Sequence, residues 1–405
     1  MSFYKNNHPH DLIKTYGSPL YVYNEDILRT RCREMMGLST YPHFVVNYAM
    51  KANTNLHLLS IVREEGLHLD ISSVGEAVAA KAAGFTPHQM MFILNGAAPE
   101  ELQYAIDIGA TVSVDSLSQL ETYGKLNPGG NICLRFNAGV GGGHHEKVIT
   151  GGDGTKFGIM PQYIPQVEAL LEKYQLQLIG INHHVGSQNS VEVYMDGVHA
   201  ILDVARHFPN LAFVDLGGGF AIPYHKQDGE QPIDLARLGT LLDTTLHAFA
   251  KDYGKALTFM IEPGRYIVAE CGVLLGTVHG LKTCGAVHYA GTDIGFSVFA
   301  RPTLYDAHHD IEIYPQTCTI GEENVVTIVG NQCESGDYVA QGRTLPPLEA
   351  GDILGVMDAG AYGYSMASQY NMRQRPAEVL IQTDGHVKKI RHRDTFEDML
   401  RNMGV

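Results

Sequence analysis

Short apolar runs alternate with helix-like stretches from residue 45 onwards, and this alternation constrains the fold more than any other feature of the sequence. The apolar or β-branched runs predict eight strands, at 45–50, 67–72, 90–94, 111–115, 131–137, 176–185, 211–217 and 257–264. The stretches between them, such as 161–174, carry apolar residues near i, i+3 and i+4 and predict crossover helices. Eight such units over roughly 220 residues favour an α/β fold with a (β/α)8 TIM-like barrel, because that barrel usually takes about 250 residues. An open, doubly wound sheet is the alternative.

The pattern changes after about residue 266, where apolar runs follow one another with no helical stretch between them. These runs predict strands at 266–270, 273–281, 310–315, 324–330, 352–360 and 377–393. They indicate a second, all-β domain after the barrel. Residues 19–24 form another strand-like run outside the barrel rhythm, and we expect it to pair with that domain. The predicted domains are a barrel at 25–265 and a discontinuous β domain at 1–24 and 266–405.

Charge and cysteine content argue against several classes of protein. The chain has 29 Lys and Arg residues against 44 Asp and Glu, a net charge of −15, which opposes binding of nucleic acid through a basic surface. The six cysteines form no CxxC pair, so they indicate neither a zinc ribbon nor a disulfide framework, and we expect a reducing, cytoplasmic compartment. They are Cys32, Cys133, Cys271, Cys284, Cys318 and Cys333.

Neither a metal nor a membrane is expected as a partner. The sequence lacks metal-ligand spacing such as HExxH. The opening residues are polar and lack the apolar core of a signal peptide. No later run reaches the ~18 apolar residues that a membrane span needs.

Chemically distinctive residues lie at or just beyond the ends of the predicted barrel strands, and in such barrels the active site lies at the carboxyl ends of the strands. They are Lys51, Asp70, Ser73, His184, Ser187, Gly217, Gly218, Gly219, Glu262 and Arg265. Lys51 follows a strongly apolar strand, so its amine is either desolvated, as in a Schiff-base lysine, or extended out to water. The glycine turn at 217–219 either surrounds a phosphate with backbone N–H groups or is a plain tight turn.

The remaining candidates also allow more than one interpretation. His184 could stack on an aromatic ring, ligate a metal or be a core histidine. Glu262 could keep a pyridine nitrogen protonated, so that the ring withdraws electrons from a carbanion, or form a surface ion pair with Arg265. Cys333 and Tyr362 come from the β domain and are either functional or core residues.

Seven motifs together resemble a known family. They occur in the order NYAMKAN, HHVGSQ, DLGGGF, IEPGRYIVAE, ARPTLYDAHH, CESGD and GAYGYSMASQYN. This order resembles that of the pyridoxal-phosphate-dependent decarboxylases with the alanine-racemase-like barrel fold, the family that acts on ornithine, diaminopimelate and arginine. The resemblance covers nearly the whole chain. It implies pyridoxal 5′-phosphate as cofactor and, most closely, decarboxylation of meso-2,6-diaminopimelate to L-lysine and CO2, the last step of lysine biosynthesis.

The resemblance also implies the role of each site residue. Lys51 would carry the cofactor as a Schiff base, His184 would stack on its ring, and Glu262 would pair with the pyridine nitrogen. The implied cofactor-binding set is Lys51, Asp70, His184, Ser187, Gly217, Gly218, Gly219, Glu262, Gly264, Arg265 and Tyr362. The implied substrate-binding set is Arg265, Arg301, Tyr305, Glu334 and Tyr362.

In this family the equivalents of Cys333 and Glu334 enter the site from the partner subunit. The resemblance therefore implies a homodimer with shared active sites, in which Cys333 is catalytic together with Lys51. Two positions depart from the family pattern: Asn182 stands where histidine is usual, and GAAPEEL replaces a common GxxK element. Neither departure removes a residue that the chemistry needs.

Other functions are considered beside this one. The chain could be a decarboxylase of ornithine, lysine or arginine, or of a siderophore or antibiotic pathway. Arg301 favours a substrate with a distal carboxylate, because a guanidinium binds a carboxylate and repels a lone ammonium. A binding protein that keeps the fold without catalysis is a further alternative, and the presence of Lys51, Glu262 and Cys333 argues against it.

Overall fold

The computed structural model describes residues 3–140, 152, 154–187, 190–317 and 321–404, so that Cys318 lies outside the described residues. The chain divides into two compact units. The barrel unit comprises Arg31–Ile222 and Pro232–Ile267. The sheet unit comprises Met1–Thr30, Pro223–Gln231 and Val268–Val405. Each unit is therefore built from more than one chain segment.

Seventeen strands lie in the described residues and are numbered in chain order. They are β1 (Leu20–Asn24), β2 (Phe44–Ala49), β3 (His68–Ile71), β4 (Met90–Leu94), β5 (Thr111–Val114), β6 (Asn131–Arg135), β7 (Gln177–Asn182), β8 (Phe213–Asp215), β9 (Thr258–Ile261), β10 (Gly272–Cys284), β11 (Val287–Thr292), β12 (Ile311–Tyr314), β13 (Asn324–Val329), β14 (Tyr338–Leu345), β15 (Ile353–Val356), β16 (Ala377–Ile381) and β17 (Val387–Arg391).

Twelve α-helices lie in the same residues. They are α1 (Pro9–Tyr16), α2 (Glu25–Met36), α3 (Leu56–Glu64), α4 (Val74–Ala82), α5 (Pro99–Asp107), α6 (Leu117–Leu126), α7 (Ile164–Tyr174), α8 (Val191–Ala205), α9 (Leu235–Tyr253), α10 (Arg265–Val268), α11 (Arg301–Tyr305) and α12 (Phe396–Leu400). Among these described helices, none combines the length and the apolar character that a membrane crossing requires.

The barrel unit is a closed ring of eight parallel strands, β2 to β9, in sequence order. The ring closes where β2 pairs with β9, with Val46 opposite Ile261. Each of the eight strands overlaps a run that the sequence predicts. The prediction of a (β/α)8 barrel is therefore confirmed, and the open sheet is wrong.

Side chains from alternate strands fill part of the barrel interior. Met91 and Ile93 of β4, Cys133 of β6 and Phe213 of β8 form one hydrophobic cluster. These strands are not neighbours, so their side chains meet by pointing inward, as the layers of such barrels do. Gly180 of β7 makes room for the Phe213 ring, because a Cβ there would lie 2.1 Å from it.

Several helices of the barrel unit are preceded by a residue whose side chain satisfies one of the first backbone N–H groups. The Ser73 hydroxyl accepts a hydrogen bond from the N–H of Glu76 and caps α4, and Ser190 caps α8 in the same way. Each such cap is worth about 1 kcal/mol. Asp234 precedes helix α9 and its side chain accepts the N–H of Arg237, and Gly254 follows the helix with a φ of 75°, the left-handed conformation that glycine adopts at low cost. The loops between helices and strands are thereby held at defined lengths.

The sheet unit is organised around the strand order β14-β13-β11-β10-β1-β16-β17, with β15 paired to both β10 and β12. Strand β1 runs antiparallel to β10 and parallel to β16. Leu20 and Val22 of β1 pack with Val273 of β10 and Val379 of β16 in one core cluster. The N-terminal segment thus lies at the centre of this sheet.

Three details of the sequence prediction need correction. The predicted strand at 266–270 is wrong: Arg265–Val268 form the short helix α10, in which the N–H of Ile267 bonds to the carbonyl of Gly264 at 3.2 Å. Every residue from 265 to 269 is buried, so the segment has no alternation that could separate strand from helix. The predicted run 377–393 contains two strands, β16 and β17, rather than one. The sheet unit also contains the helices α1, α11 and α12, so the domain is mostly sheet rather than entirely sheet.

Candidate active site

Charged and polar side chains collect at the carboxyl ends of the barrel strands. The residues are Lys51 after β2, Asp70 in β3, Arg135 in β6, His184 after β7, Asp215 in β8 and Glu262 after β9. Because all eight strands run parallel, these ends meet at one mouth of the barrel. This is the face at which enzymes with this fold carry out their chemistry.

Lys51 lies in a single helical turn directly after β2. Its Nζ is 4.0 Å from Oδ2 of Asp70, and the Lys51 side chain is 47% exposed while that of Asp70 is 3% exposed. Burial raises the pKa of the Asp70 carboxyl, and the charges of Lys51 and Arg135 act in the opposite direction. The lysine amine is thus reachable from the barrel mouth and is held beside a buried carboxyl group.

Asp215 and Glu262 form a buried acidic pair. Oδ1 of Asp215 accepts the N–H of Gly217 at 2.9 Å. Oδ2 of Asp215 and Oε1 of Glu262 are buried without a hydrogen-bond donor among the described residues. Burial raises the pKa of Asp215 to about 7 and that of Glu262 well above its usual range, and each carboxyl also interacts with the other. The pair therefore needs either a shared proton or a cationic donor beside it.

His184 lies against this pair as a neutral imidazole. Its Nδ1 accepts the N–H of Gly218 at 3.0 Å and lies 4.0 Å from Oε2 of Glu262. Burial lowers the pKa of His184 well below its usual range, and the nearby charges of Lys51 and Arg135 add to that effect. A neutral ring that is held at Nδ1 can stack on a flat aromatic ligand without bringing a charge to it.

The backbone of the glycine turn at 217–219 packs directly against the backbone of two neighbouring loops. A Cβ on Gly218 would lie 2.2 Å from the carbonyl oxygen of Glu262, and one on Gly219 would lie 2.2 Å from that of Gly186. The adjacent Ser187 hydroxyl accepts a hydrogen bond from Nε of Arg265 at 3.2 Å. A backbone turn without side chains, a hydroxyl and a guanidinium together suit a phosphate group.

Two other predicted residues belong to the same loops. Ser73 caps helix α4 after β3, and Gly264 precedes α10, where its carbonyl accepts the N–H of Ile267. Gly264 therefore sets the start of the helix that carries Arg265.

The other predicted residues lie in the sheet unit. Arg301 begins α11 and is 2% exposed, and Tyr305 ends the same helix. Thr303 of α11 donates to the carbonyl of Gly336 at 3.0 Å, which joins this helix to the loop of Cys333 and Glu334.

Cys333 and Glu334 are both exposed. The N–H of Cys333 donates to Oδ1 of Asn371 at 2.9 Å, and the hydroxyl of Tyr370 donates to Glu334. Tyr362 lies between β15 and β16 with a φ of 55°. The sheet unit thus places helix α11 beside the loop that carries Cys333 and Glu334.

One cluster in the sheet unit has metal-ligand chemistry. His225, Asp228 and His308 place ligand atoms within 4.8 Å of one another. The guanidinium of Arg343 lies 2.9 Å from Nε2 of His308, and its positive charge opposes a cation there. The expectation that the protein uses no metal stays a prediction.

Arg135 and Asp215 also belong to the barrel mouth, although the sequence motifs did not identify them. Arg135 is 7% exposed, and burial lowers its pKa while four carboxyl groups, Glu262 first among them, act against that effect. Asp215 immediately precedes Leu216 and the glycine turn. Both are the only charged residues in their strands, and a charge at the end of an apolar strand is the signal that could have identified them.

Comparisons with known proteins agree with this geometry. Residues 26–269 match the family described as "Pyridoxal-dependent decarboxylase, pyridoxal binding domain". The chain is 38% identical over 405 residues to diaminopimelate decarboxylase of Methanothermobacter thermautotrophicus, covering 98% of this chain and 94% of the relative. It is 34% identical to diaminopimelate decarboxylase of Escherichia coli K12, covering 95% of this chain and 93% of the relative.

Solved structures give the same result. A crystal structure of diaminopimelate decarboxylase superposes with a TM-score of 0.91 at 31% identity, covering 99% of this chain and 98% of the other. The enzyme from Helicobacter pylori complexed with L-lysine gives a TM-score of 0.88 at 29% identity, covering 97% and 98%. Both sequence and fold are therefore similar along almost the whole chain.

Proposed function

The chain belongs to the pyridoxal-dependent decarboxylase family, and from this premise we propose that it converts meso-2,6-diaminopimelate into L-lysine and CO2, the last step of lysine biosynthesis. The observation that carries the proposal is the 38% identity to a diaminopimelate decarboxylase over 98% of the chain, which includes both units. Lysine/ornithine decarboxylase from Vibrio vulnificus is only 20% identical, so its likeness concerns the fold alone.

Pyridoxal 5′-phosphate is the cofactor, and the residues at the barrel mouth fit it. Oδ2 of Asp215 and Oε1 of Glu262 have no donor among the described residues, and a protonated ring nitrogen would supply one beside them. The glycine turn with Ser187 and Arg265 suits the phosphate. We propose that Asp70, Gly264 and Tyr362 complete the binding set and that the cofactor-binding domain spans 25–265.

When bound, pyridoxal phosphate supplies an aldehyde that condenses with amines and a ring that stores the electrons left behind as CO2 departs. Lys51 would hold the cofactor through Nζ, and Nζ of Lys51, when it is not bonded to the cofactor, would be the group that holds or moves a proton. Asp70, 4.0 Å away, stabilises the charged form of that amine. Glu262 would keep the ring nitrogen of the bound cofactor protonated, and neutral His184 would pack on its ring.

Stereochemistry decides which end of the substrate is distal. The product is L-lysine, so the carboxyl group that leaves comes from the D centre, and the L centre keeps its carboxylate and ammonium. We propose that Arg301 binds this distal carboxylate through paired hydrogen bonds, with Tyr305 beside it, and that Glu334 binds the distal ammonium. Tyr362 and Arg265 complete the proposed substrate set.

We further propose a homodimer with shared sites in the cytoplasm. Cys333 and Glu334 are exposed on the sheet unit, next to Asn371 and Tyr370, where a second copy of the chain could receive them. In this proposal Cys333 of one subunit and Lys51 of the other are the two groups that can deliver the proton to the α-carbon.

A substrate panel tests the proposal. Enzyme loaded with pyridoxal phosphate is assayed for CO2 release from meso-diaminopimelate, D-lysine, L-lysine, L-ornithine and L-arginine. D-lysine has the reacting centre but lacks the distal carboxylate. We expect meso-diaminopimelate to have the highest kcat/KM. A preference for L-lysine, L-ornithine or L-arginine would assign the chain to another branch of the family.

The Arg301→Ala variant tests the proposed subsite in the same assay. Charge-assisted hydrogen bonds are worth about 1.5–3 kcal/mol each, so kcat/KM for meso-diaminopimelate should fall roughly a hundredfold. The value for D-lysine should barely change. Arg237→Ala, in an exposed ion pair with Glu192, is the matched control and should behave like wild type. An equal loss on both substrates would refute the subsite.

A further inference from the structure

Arg301 is surrounded by aromatic side chains of the sheet unit. Its Nε–H donates to Nε2 of His309 at 3.0 Å, and its Cζ lies 4.9 Å from the centre of the Tyr224 ring. His309 itself meets Tyr224 edge to face at 4.8 Å and Phe299 at 4.7 Å. His309 is only 1% exposed. The guanidinium therefore has a hydrogen-bonded neighbour at Nε and lies over the ring of Tyr224.

Two hydrogen bonds determine the tautomer of His309. Nδ1 lies 2.7 Å from the carbonyl oxygen of Met357, and a carbonyl only accepts, so Nδ1 carries the proton. Nε2 lies 3.0 Å from Nε–H of Arg301, which only donates, so Nε2 presents its lone pair. The ring is therefore neutral and connects the backbone at Met357 to the guanidinium of Arg301.

We infer that His309 is a positioning residue for substrate recognition: it holds Arg301 by Nε, so that a distal carboxylate is bound end-on through the two Nη groups. This inference rests on the proposed function and deepens it. An unheld arginine has several rotatable bonds to order when substrate binds, and ordering them costs affinity. His309 and Tyr224 already order the Arg301 side chain in the free enzyme. Its conformational entropy is therefore lost during folding and not during substrate binding.

Two substitutions at position 309 distinguish the hydrogen bond of His309 to Arg301 from its hydrogen bond to Met357. In His309→Gln, Oε1 can replace Nε2 as the acceptor for Arg301. In His309→Asn, Nδ2 can still donate to Met357, but the shorter side chain does not reach Arg301. His386→Asn, at an exposed turn of the same unit, is the matched control. His309→Gln therefore keeps the hydrogen bond from Nε–H of Arg301, and His309→Asn removes it.

The assay compares two inhibitors of the holoenzyme that differ in the distal carboxylate. L-lysine has it, and cadaverine lacks it. For His309→Asn we expect the KM of meso-diaminopimelate and the Ki of L-lysine to rise about tenfold, with kcat and the Ki of cadaverine nearly unchanged. His309→Gln should stay close to wild type, as should His386→Asn. Equal weakening of both inhibitors, or unchanged constants in His309→Asn, would overturn the inference.

A second measurement tests the hydrogen bond between His309 and Arg301 independently of the proposed function. If wild-type enzyme releases no CO2 from meso-diaminopimelate, the proposed function is wrong, and the hydrogen bond is then tested without substrate. The NMR signal of the Arg301 Nε–H should exchange slowly with solvent in wild type and in His309→Gln. It should exchange much faster in His309→Asn. Equal exchange in all three proteins would overturn the positioning role itself.

Discussion

Replacing Gly218 by alanine tests how closely the cofactor-binding loops are packed. The new Cβ would lie 2.2 Å from the carbonyl oxygen of Glu262 and 3.1 Å from Cε1 of His184. Carbon and carbonyl oxygen normally stay about 3.3 Å apart, so the ends of β8 and β9 must separate by about 1 Å. A backbone oxygen cannot rotate away as a flexible side chain would. Overpacking of this kind costs about 1–3 kcal/mol of unfolding free energy, and a 1 Å misplacement of catalytic groups costs about a hundredfold in rate.

Two measurements on the Gly218→Ala enzyme follow from this displacement. Titration with pyridoxal phosphate, followed by absorbance, should show weakened cofactor binding. CO2 release at saturating cofactor should show kcat lowered roughly a hundredfold. Gly280→Ala is the control, since a Cβ there meets nothing within 4 Å, and it should match wild type in both assays. A Gly218→Ala enzyme with wild-type cofactor affinity and kcat would refute the argument that this turn excludes side chains.

Three further predictions concern the same site. Lys51→Ala should abolish turnover and the absorbance band of the anchored cofactor, because Nζ of Lys51 supplies the anchoring amine; absorbance and CO2 release measure both. When Lys51→Ala and Cys333→Ala protomers are mixed and exchange subunits, part of the activity should return, because one site in each heterodimer then has both residues. If no activity returns although exchange is demonstrated, each site is built by one chain. Burial raises the pKa of Asp215 from 3.8 to about 7, so between these pH values the folded apoprotein binds more protons than the unfolded chain, and its stability falls as pH rises. Asp215→Asn should flatten this decline, and urea unfolding of both apoproteins across that pH range measures it.

The barrel could be predicted because its strands are apolar on both faces and each is separated from the next by a helix. The run at 90–94 is buried at every residue and appears in the sequence as an unbroken apolar block. The strand β14, in contrast, contains Gln341, Gly342 and Arg343, and its pairing with β13 is interrupted by register shifts. Such a strand has neither an apolar block nor a regular alternation, and the sequence did not predict it.

The site could be predicted only in part, for a related reason. Lys51, His184 and Glu262 stand in motifs whose order resembles a known family. The contact of Asp215 with Glu262 depends instead on the adjacency of β8 and β9 in the closed ring. The neutral state of His309 depends on partners 8 and 48 residues away along the chain. Such properties follow from tertiary neighbours, which the motifs do not contain.

The central place of β1 in its sheet affects how the chain folds during its synthesis on the ribosome. Leu20 pairs with Ala377, and at about 5–20 residues per second a ribosome needs on the order of 20–70 s to make the intervening chain. During that interval β1 lacks its β16 neighbour, whereas each barrel strand from β3 onward is made soon after the strand it pairs with. Contacts that are distant in sequence also form slowly. We therefore expect the barrel to assemble while the chain is still growing and the sheet to close only after β16 has left the ribosome.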